Sequence, residues 1–364
     1  MCIVDKDFTY PPIASTGFAV FTCHKDYSKE FLFYYLLSPD FDRYANDTEN
    51  SKGVAYPAIT DERLSNALVP IPPLQEQQRI VAIIEQVVPF MEHYGIKEKE
   101  LNELNASLPT ILKKSILQEA IQGKLVPQDS TDEPASILLE RIRKEKTRLF
   151  KEGKLKPDKH ESVIFRRDNS HYEKRDGKET CIDDEIPFEI PASWSWVRLR
   201  TLLSKASTGP FGSMLHKSDY VEQGTPLVNP ANIHDGEITI DGIKRVAAPT
   251  ATRLSAYLLD VGDVIIGRRG ELGRSAVIHS EHIGWLCGTG CFFVTPRHGF
   301  LPEYLVFLLA SPYIRDTLMS ASVGTTMNNL NHDILKQLLI PLPPEKEQRK
   351  ILRQYEKTCA FLSW

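Results

Sequence analysis

The sequence predicts mixed α/β (α+β) domains joined by long, coiled-coil-like helices, and three observations lead to this fold class. About the first 90 residues resemble about the last 90, at an offset of 273 positions. Each copy ends in a proline-and-charge signature, PIPPLQEQQRI from Pro70 and PLPPEKEQRKI from Pro341. After the first signature, apolar residues keep helical spacing as far as Gln122, which is typical of a helix that packs against a partner helix.

Both copies predict the same order of elements. TGFAVFT (Thr16–Thr22) aligns with TGCFFVT (Thr289–Thr295) and predicts an apolar strand, while FLFYYLLSP aligns with YLVFLLASP and predicts a short helix. After a two-residue adjustment, Gly53 aligns with Gly324 in a polar loop that precedes a second helix or turn. The Pro-Pro pairs then favour extended backbone, and the Glu-Gln residues after them suit the first turn of a helix.

The connector between the copies is predicted to be helical. A first helix is expected from Leu74 to Gln122, with kinks or a break at Pro89 and Pro109, and a second from Glu133 to Gly153. We therefore expect five regions: the C-terminal part of a first domain at 1–72, a helical spacer at 73–153, a basic linker at 154–186, a complete second domain at 187–341, and the start of a distal spacer helix at 342–364.

Composition limits the classes of protein to be considered. The chain has 364 residues, 41% of them apolar, and a net charge of only −4, so it can bury more than one core and is not basic overall. No charged start with an apolar run and no membrane-length apolar segment is found in the sequence. Six scattered cysteines fit reduced thiols. We expect a soluble, cytoplasmic protein with no membrane partner.

A basic stretch lies between the copies. Residues 141–178 contain 14 Lys or Arg and seven Asp or Glu. The stretch is read either as a solvated helix face with a disordered linker or as a strip that lies near DNA phosphates. Both alternatives stay open, and they are compatible with one another.

Four motifs in order carry a resemblance to a known family. They are the first P.PP..EQ signature, GKLVPQ followed by DEPAS.LL in the central helices, IPASWSWVRL from Ile190, and the second signature. With the repeat, they make the chain similar to the specificity subunit of type I restriction-modification systems over nearly all its length. The resemblance implies two target-recognition domains, which are held apart by an antiparallel pair of long helices and read a split sequence in double-stranded DNA.

The same resemblance implies partners and no chemistry of its own. Two methyltransferase subunits would be seated on the helices, and a restriction subunit would join through the complex. No catalytic residue, cofactor or metal is implied. The sequence agrees with this, since neither an amino-methyltransferase Asp/Asn-Pro-Pro-aromatic motif nor a Gly-Lys-Ser/Thr phosphate loop is present in it.

The first candidate DNA contact is the segment GDVIIGRRGELGRSAVI, from Gly262 to Ile278. A strand follows its glycines, so a hairpin is predicted and not a dinucleotide-binding turn. Arg268 and Arg269 at its tip are suited to guanine or phosphate. The alternative is that these arginines are solvated or paired with Glu271.

Two further loops carry candidate contacts. In the loop Ser207–Gly224 the donors are Ser213, His216, Lys217 and Ser218, although the loop could be an ordinary connector. In the loop Val323–Asn331 the candidates can bond base edges or cap the helix that follows. They are Thr325, Thr326, Asn328 and Asn329.

Other motifs are interpreted as structural. His279, His282, Cys287 and Cys291 could form a zinc site, but the cysteines align with Ala14 and Phe18 in the first copy, which favours packed positions. The tryptophans of WSW could stack on a base, but an alternating pair at a strand start favours packing.

The repeat also indicates that the family pattern is cut at both ends. Met1 aligns with Arg274, so the first copy has no counterpart of Pro187–Gly273, and the second helix ends about twenty residues after its signature. An alternative function is therefore a non-reading assembly or decoy subunit that still docks methyltransferase subunits. A second copy could supply the missing parts, so self-association stays open, and a self-sufficient methyltransferase or nuclease is a third alternative.

Overall fold

The computed structural model describes residues 1–362 apart from 7, 16, 47–58, 155–160, 271, 323–329 and 331. Helices and strands both occur among these residues, which confirms the predicted mixed fold class. The chain divides into two compact units, Met1–Ala106 and Ser107–Trp364, called unit 1 and unit 2 below. Within the described ranges, no helix is both long enough and apolar enough to cross a membrane.

The helices are named in chain order. They are α1 (Lys29–Leu36), α2 (Pro39–Asn46), α3 (Asp61–Ser65), α4 (Leu74–Ile121), α5 (Ala135–Lys151), α6 (Leu199–Leu202), α7 (Ala248–Arg253), α8 (Pro302–Ala310), α9 (Pro312–Ser322), α10 (His332–Gln337) and α11 (Glu345–Ala360).

The strands are named in the same way. They are β1 (Ser162–Arg167), β2 (Ser170–Arg175), β3 (Lys178–Cys181), β4 (Ser195–Arg198), β5 (Leu203–Thr208), β6 (Tyr220–Val221), β7 (Thr225–Val228), β8 (Ile233–His234), β9 (Glu237–Ile238), β10 (Lys244–Val246), β11 (Val264–Gly267), β12 (Ser275–Val277), β13 (Leu286–Cys287), β14 (Cys291–Pro296) and β15 (Leu339–Leu342).

The core of unit 2 is built on a four-stranded sheet in the order β12-β11-β14-β5. Its strands pair antiparallel, and side chains on both faces are buried. Val264 and Phe292 pack in a cluster with α8, while Ile265 and Phe293 pack in a second cluster with Cys287. Because both faces are covered, β11 and β14 are continuous apolar runs and not alternating ones.

Unit 1 repeats the helical half of unit 2. In sequence order α1, α2, α3 and α4 correspond to α8, α9, α10 and the shorter α11. The strand expected at Thr16–Thr22 is absent from the described residues 17–28, where Phe18 is 73% exposed. In unit 2 its counterpart β14 pairs with β11 and β5, whereas the described residues of unit 1 contain no strand with which 17–22 could pair.

Helix α4 is continuous through Pro89 and Pro109, so the break that we expected there is not observed. A proline removes one backbone hydrogen bond from a helix, and a helix of 48 residues can lose two such bonds and remain helical on both sides of each.

The region expected to be a basic linker contains an antiparallel sheet, β1-β2-β3. Two-residue turns close its hairpins, with positive φ at Asp168 (50°), Asn169 (67°), Asp176 (53°) and Gly177 (77°). Arg198 of β4 donates to the buried Glu173 of β2 at 2.8 and 3.1 Å, so this sheet is part of unit 2. A disordered linker is therefore not observed over Ser162–Cys181, because these hairpin turns and the buried ion pair order the segment.

The repeated signature has the same structural role in both units. The Gln348 side chain accepts from the Leu301 N–H (2.9 Å) and donates to the Pro343 carbonyl (3.3 Å). In unit 1 the Gln77 side chain accepts from the Ser28 N–H (2.8 Å) and donates to the Pro72 carbonyl (2.8 Å). Ser28 and Leu301 precede α1 and α8. Each glutamine therefore ties the start of one helix to the chain that leaves the unit.

Candidate nucleic-acid interface

The three loops singled out in the sequence begin or end at one edge of the central sheet. The Arg268 N–H donates to the Gly290 carbonyl (2.8 Å), and the Leu330 N–H donates to the Arg268 carbonyl (3.1 Å). The Gly209 N–H donates to the Cys291 carbonyl (2.9 Å). The turn Gly288–Cys291 thus joins the start of the Ser207–Gly224 loop to the arginine hairpin. The hairpin in turn bonds to Leu330, near the end of the Val323–Asn331 loop.

At this edge of the sheet, glycines stand where two backbone segments come into close contact. A Cβ built on Gly209 would overlap the Gly288 carbonyl oxygen, and a Cβ on Gly288 would overlap the Val228 carbonyl oxygen. Glycine allows the two chains to approach at this distance, so the positions of the loops depend on it.

We expect Gly209→Ala to lower the free energy of unfolding by about 2–3 kcal/mol, because the added methyl group must displace backbone and not a flexible side chain. Urea denaturation followed by circular dichroism measures this loss. Gly95→Ala is the matched control, since nothing lies within 4 Å of a Cβ at Gly95 in α4. A Gly209→Ala protein as stable as the control would contradict the close approach.

Arg268 is held against the protein and is not free at a hairpin tip. Its guanidinium carbon lies 4.8 Å from the centre of the Phe292 ring, and its Nε donates to the Leu330 carbonyl (3.2 Å). Partial burial lowers the pKa of Arg268, and the neighbouring Arg269 charge acts in the same direction. The side chain therefore has one fixed orientation, which is what bidentate recognition requires.

Arg269 is exposed, unlike its neighbour. Its side chain has neither a hydrogen bond nor an ion pair with any residue described. Gly270 and Gly273 follow with φ of 81° and 88°, as the predicted hairpin requires. Glu271, which was the alternative partner of these arginines, lies outside the described residues. One arginine of the pair is thus fixed and the other is accessible.

The Ser207–Gly224 loop is organised by Asp219. This carboxylate accepts from the His216 N–H (2.7 Å) and pairs with Arg253 of α7 (3.2 Å), which also donates to the Met214 carbonyl (2.7 Å). The hydrogen bond from His216 lowers the pKa of Asp219, and the Arg253 charge acts in the same direction. The loop is therefore tied to α7 through a charged group that stays ionised at neutral pH.

The predicted donors of this loop face solvent where the structure describes them. His216, Lys217 and Ser218 are exposed, while the side chain of Ser213 is outside the described set. The candidates of the third loop, Thr325, Thr326, Asn328 and Asn329, also lie outside the described residues. What is observed is that Leu330, directly after them, lies against Arg268.

Sequence reasoning did not single out Phe211, Phe292 or Arg253. Phe211 is 61% exposed between Pro210 and Gly212, where a stacking surface would be accessible. An aromatic residue between proline and glycine was the available signal. Phe292 and Arg253 carry no such signal, because they act on Arg268 and Asp219 only through the tertiary fold.

Of the residues considered for zinc and for stacking, His279 is exposed and the others are buried. Cys287 and Cys291 are buried, and burial raises the pKa of both thiols. Among the residues described, no group of three or more His, Cys, Asp or Glu is arranged to hold a metal ion. Trp194 and Trp196 are 5% and 3% exposed, in agreement with the packing interpretation.

Comparison with known families gives one match that covers most of the chain. The model of the type I restriction modification DNA specificity domain matches residues 2–106 and 212–359. The first range lies in unit 1 and the second in unit 2, so the match includes both copies of the repeat.

Comparison with individual proteins gives relatives of the same kind. The EcoAI type I restriction enzyme specificity subunit of Escherichia coli is 25% identical, over 93% of this chain and 61% of its own length. The EcoEI specificity subunit of Escherichia coli is 41% identical, over 68% of this chain and 40% of its own length. A crystal structure of the HsdS subunit from Thermoanaerobacter tengcongensis matches with a TM-score of 0.45 and 23% identity, over 93% of this chain and 65% of that one. The chain thus spans less than two thirds of the length of each.

Proposed function

The chain belongs to the family defined by the type I restriction modification DNA specificity domain, and from this membership we propose that it is a specificity subunit that binds double-stranded DNA at a chosen sequence. The observation that carries the proposal is that one residue of each candidate loop, Gly209, Arg268 and Leu330, is held at one edge of the unit 2 sheet by backbone hydrogen bonds, directly or through the turn Gly288–Cys291. Arg268 is oriented there by Phe292, and Arg269 is accessible beside it. Base edges would be read by these arginines and phosphates by the exposed donors at 216–218.

The wider proposal concerns a bipartite target and the partners. Two copies of one domain, each followed by a helix, suit a target with two half-sites whose separation depends on the helices. Two methyltransferase subunits would dock on the helices, a restriction subunit would join the complex, and this chain would contribute no catalytic step. The relatives named above support this assignment, because they are specificity subunits of type I restriction enzymes.

A second candidate function is an assembly or decoy subunit that docks methyltransferase subunits without reading a complete site. One observation favours it. Residues 17–22 of unit 1, which correspond to the central strand β14 of unit 2, form no strand. Under this alternative unit 1 would not read a half-site.

Methylome sequencing separates the two functions. The chain is co-expressed with its methyltransferase subunits, and the methylated positions are mapped in genomic DNA. We expect methylation at one sequence that requires this chain and that is lost or relaxed in the Arg268→Ala, Arg269→Ala double variant. Stable complexes without any sequence-dependent methylation would instead support the decoy. Methyl transfer by the purified chain alone would contradict both.

A further inference from the structure

Phe211 is exposed at the start of the Ser207–Gly224 loop, beside the edge of the sheet where the candidate DNA contacts lie. Its side chain is 61% exposed, whereas Pro210 directly before it is buried. Further along the same loop, Leu215 packs against a core cluster of β7, β10 and β13. The phenyl ring is thus an apolar surface that the loop does not bury in unit 2. Single exposed apolar residues are common on proteins, so the surroundings of the ring decide its role.

The backbone around Phe211 is held on both sides. Before it, the Gly209 N–H donates to the Cys291 carbonyl (2.9 Å). After it, the Met214 N–H donates to the Phe211 carbonyl (3.2 Å), and Arg253 of α7 donates to the Met214 carbonyl (2.7 Å). Because the chain is already ordered here, a ligand that contacts the ring does not have to order the backbone, and less conformational entropy is lost on binding.

Phe211 and Arg268 follow the two strands that flank β14 in the sheet. Gly267 of β11 pairs with Cys291, and Gly209, just after β5, donates to the carbonyl of the same residue. Two strand spacings separate β11 from β5, which is about 10 Å. Successive bases of one DNA strand are about 3.4 Å apart, so this distance equals about three base steps. A duplex whose guanine is read by Arg268 therefore offers Phe211 a base pair within about four steps of that guanine.

The chemistry of the major groove limits what a phenyl ring can contact there. Phosphates and most base edges carry polar groups, and a phenyl ring that covers them removes water without supplying a hydrogen bond. The C5-methyl group of thymine is the apolar group that the groove displays, and apolar side chains select thymine through it. Insertion between bases is the other use of an exposed phenylalanine, but inserted side chains enter from the minor groove, whereas arginine binds guanine in the major groove. Because the ring and Arg268 lie at one edge, the methyl contact is favoured.

We propose that Phe211 contacts the 5-methyl group of one thymine in the major groove and thereby selects thymine at one position of the recognised sequence. This position lies within about four base pairs of the guanine that Arg268 reads. The inference rests on the proposed function, since it takes this edge of the unit 2 sheet as the surface that reads DNA. It adds to that function a contact that distinguishes bases by an apolar group and not by hydrogen bonds.

The test uses the full chain together with its methyltransferase subunits and duplexes that carry the recognised sequence, with binding measured by fluorescence anisotropy. Each thymine is replaced in turn by uracil, which lacks the 5-methyl group and keeps the same hydrogen-bonding edge. We expect one of these replacements to weaken binding of the unchanged protein about fourfold, the effect of one buried methyl-sized group. Phe211→Ala is expected to bind the thymine duplex and that uracil duplex equally, with no more than the weaker affinity.

Two further variants control for the loss of an exposed apolar side chain. Phe211→Leu keeps an apolar group at the contact and is expected to retain part of the preference for thymine. Val261→Ala removes apolar surface at a position that is 58% exposed and that precedes β11, whereas Arg268 follows this strand. Because Val261 lies at the opposite end of β11, we expect this variant to keep the full preference for thymine.

Equal affinity of the unchanged protein for thymine and uracil at every position would overturn the inference, as would a thymine preference that persists in Phe211→Ala. So would a recognised sequence without a thymine in either strand within about four base pairs of a guanine. The Arg268→Ala, Arg269→Ala double variant separates these failures from failure of the proposed function. If it loses selective binding, the edge reads DNA and only the role of Phe211 is wrong. If it keeps full affinity, the edge itself is not the reading surface.

Discussion

Replacement of Gln348 by alanine will lower the free energy of unfolding of unit 2 by about 3–4 kcal/mol, the range for a buried group whose partners are left without hydrogen bonds. Gln348 is 0% exposed and makes three hydrogen bonds, to the Leu301 N–H and to the carbonyls of Gly299 and Pro343. Alanine would leave all three backbone groups unpaired in an apolar site, and one of them lies at the start of α8.

The matched change in unit 1, Gln77→Ala, should lower stability less than Gln348→Ala does. Gln77 is also buried, at 1% exposed, but it makes only two hydrogen bonds, to the Ser28 N–H and the Pro72 carbonyl, and both are only partly buried. We expect Gln77→Ala to lower the free energy of unfolding by about 1–2 kcal/mol, because water can reach the two backbone groups that lose their hydrogen bonds. Hydrogen exchange at α1 and α8 measures the two losses separately. Gln354→Ala, at an exposed position in α11, is the control, and equal effects at all three positions would contradict the assigned role.

The repeated signature was predicted to mark the exit from each domain, and its glutamine was not predicted to hold the domain together. The proline pair and the helix start are local features, and they follow from the sequence. The partners of Gln348 at Gly299 and Leu301 are 49 and 47 residues away, so no local pattern could reveal them. The repeat was the available signal, because it retains a glutamine at both positions.

The structure of the region between the copies also depends on a contact that no local sequence pattern reveals. The prediction that residues 154–186 form a linker was based on the charge composition of this region. The turns Asp168-Asn169 and Asp176-Gly177 are recognisable hairpin turns, and they were the better signal. The ion pair of Glu173 with Arg198, both less than 10% exposed, could not be predicted, because it joins residues 25 apart that meet only in the tertiary fold.

The candidate interface was predictable in outline. The glycine pattern correctly predicted the hairpin that β11 and β12 form. The different environments of Arg268 and Arg269 were not predicted, since the ring under Arg268 belongs to Phe292 and the acceptor of its Nε belongs to Leu330. The first contact depends on how β11 lies beside β14, and the second on the chain that precedes α10. This difference between adjacent arginines makes their separate replacement informative.

Arg269→Ala is expected to weaken binding to the recognised DNA by about 1–3 kcal/mol, which is the range for one bidentate base contact, and to leave stability unchanged because the side chain is exposed. Arg268→Ala should weaken DNA binding in the same range and should also lower the stability of unit 2, because the Phe292 ring and the Leu330 carbonyl lose their partner. Arg268→Lys should not restore binding, since an ammonium group cannot form the bidentate fork.

The salt dependence of binding decides which DNA group is contacted. If Arg269 contacts a phosphate, its removal weakens specific and non-specific binding alike and reduces the slope of log K against log salt by about one. If it contacts a base, the slope is kept and the preference at one position of the site is relaxed. Fluorescence titrations of specific and scrambled duplexes at several salt concentrations distinguish the two cases. Arg353→Ala, at an exposed position in α11, controls for loss of one positive charge. Unchanged affinity and unchanged methylation after replacement of both Arg268 and Arg269 would mean that this edge of the sheet is not the surface that reads DNA.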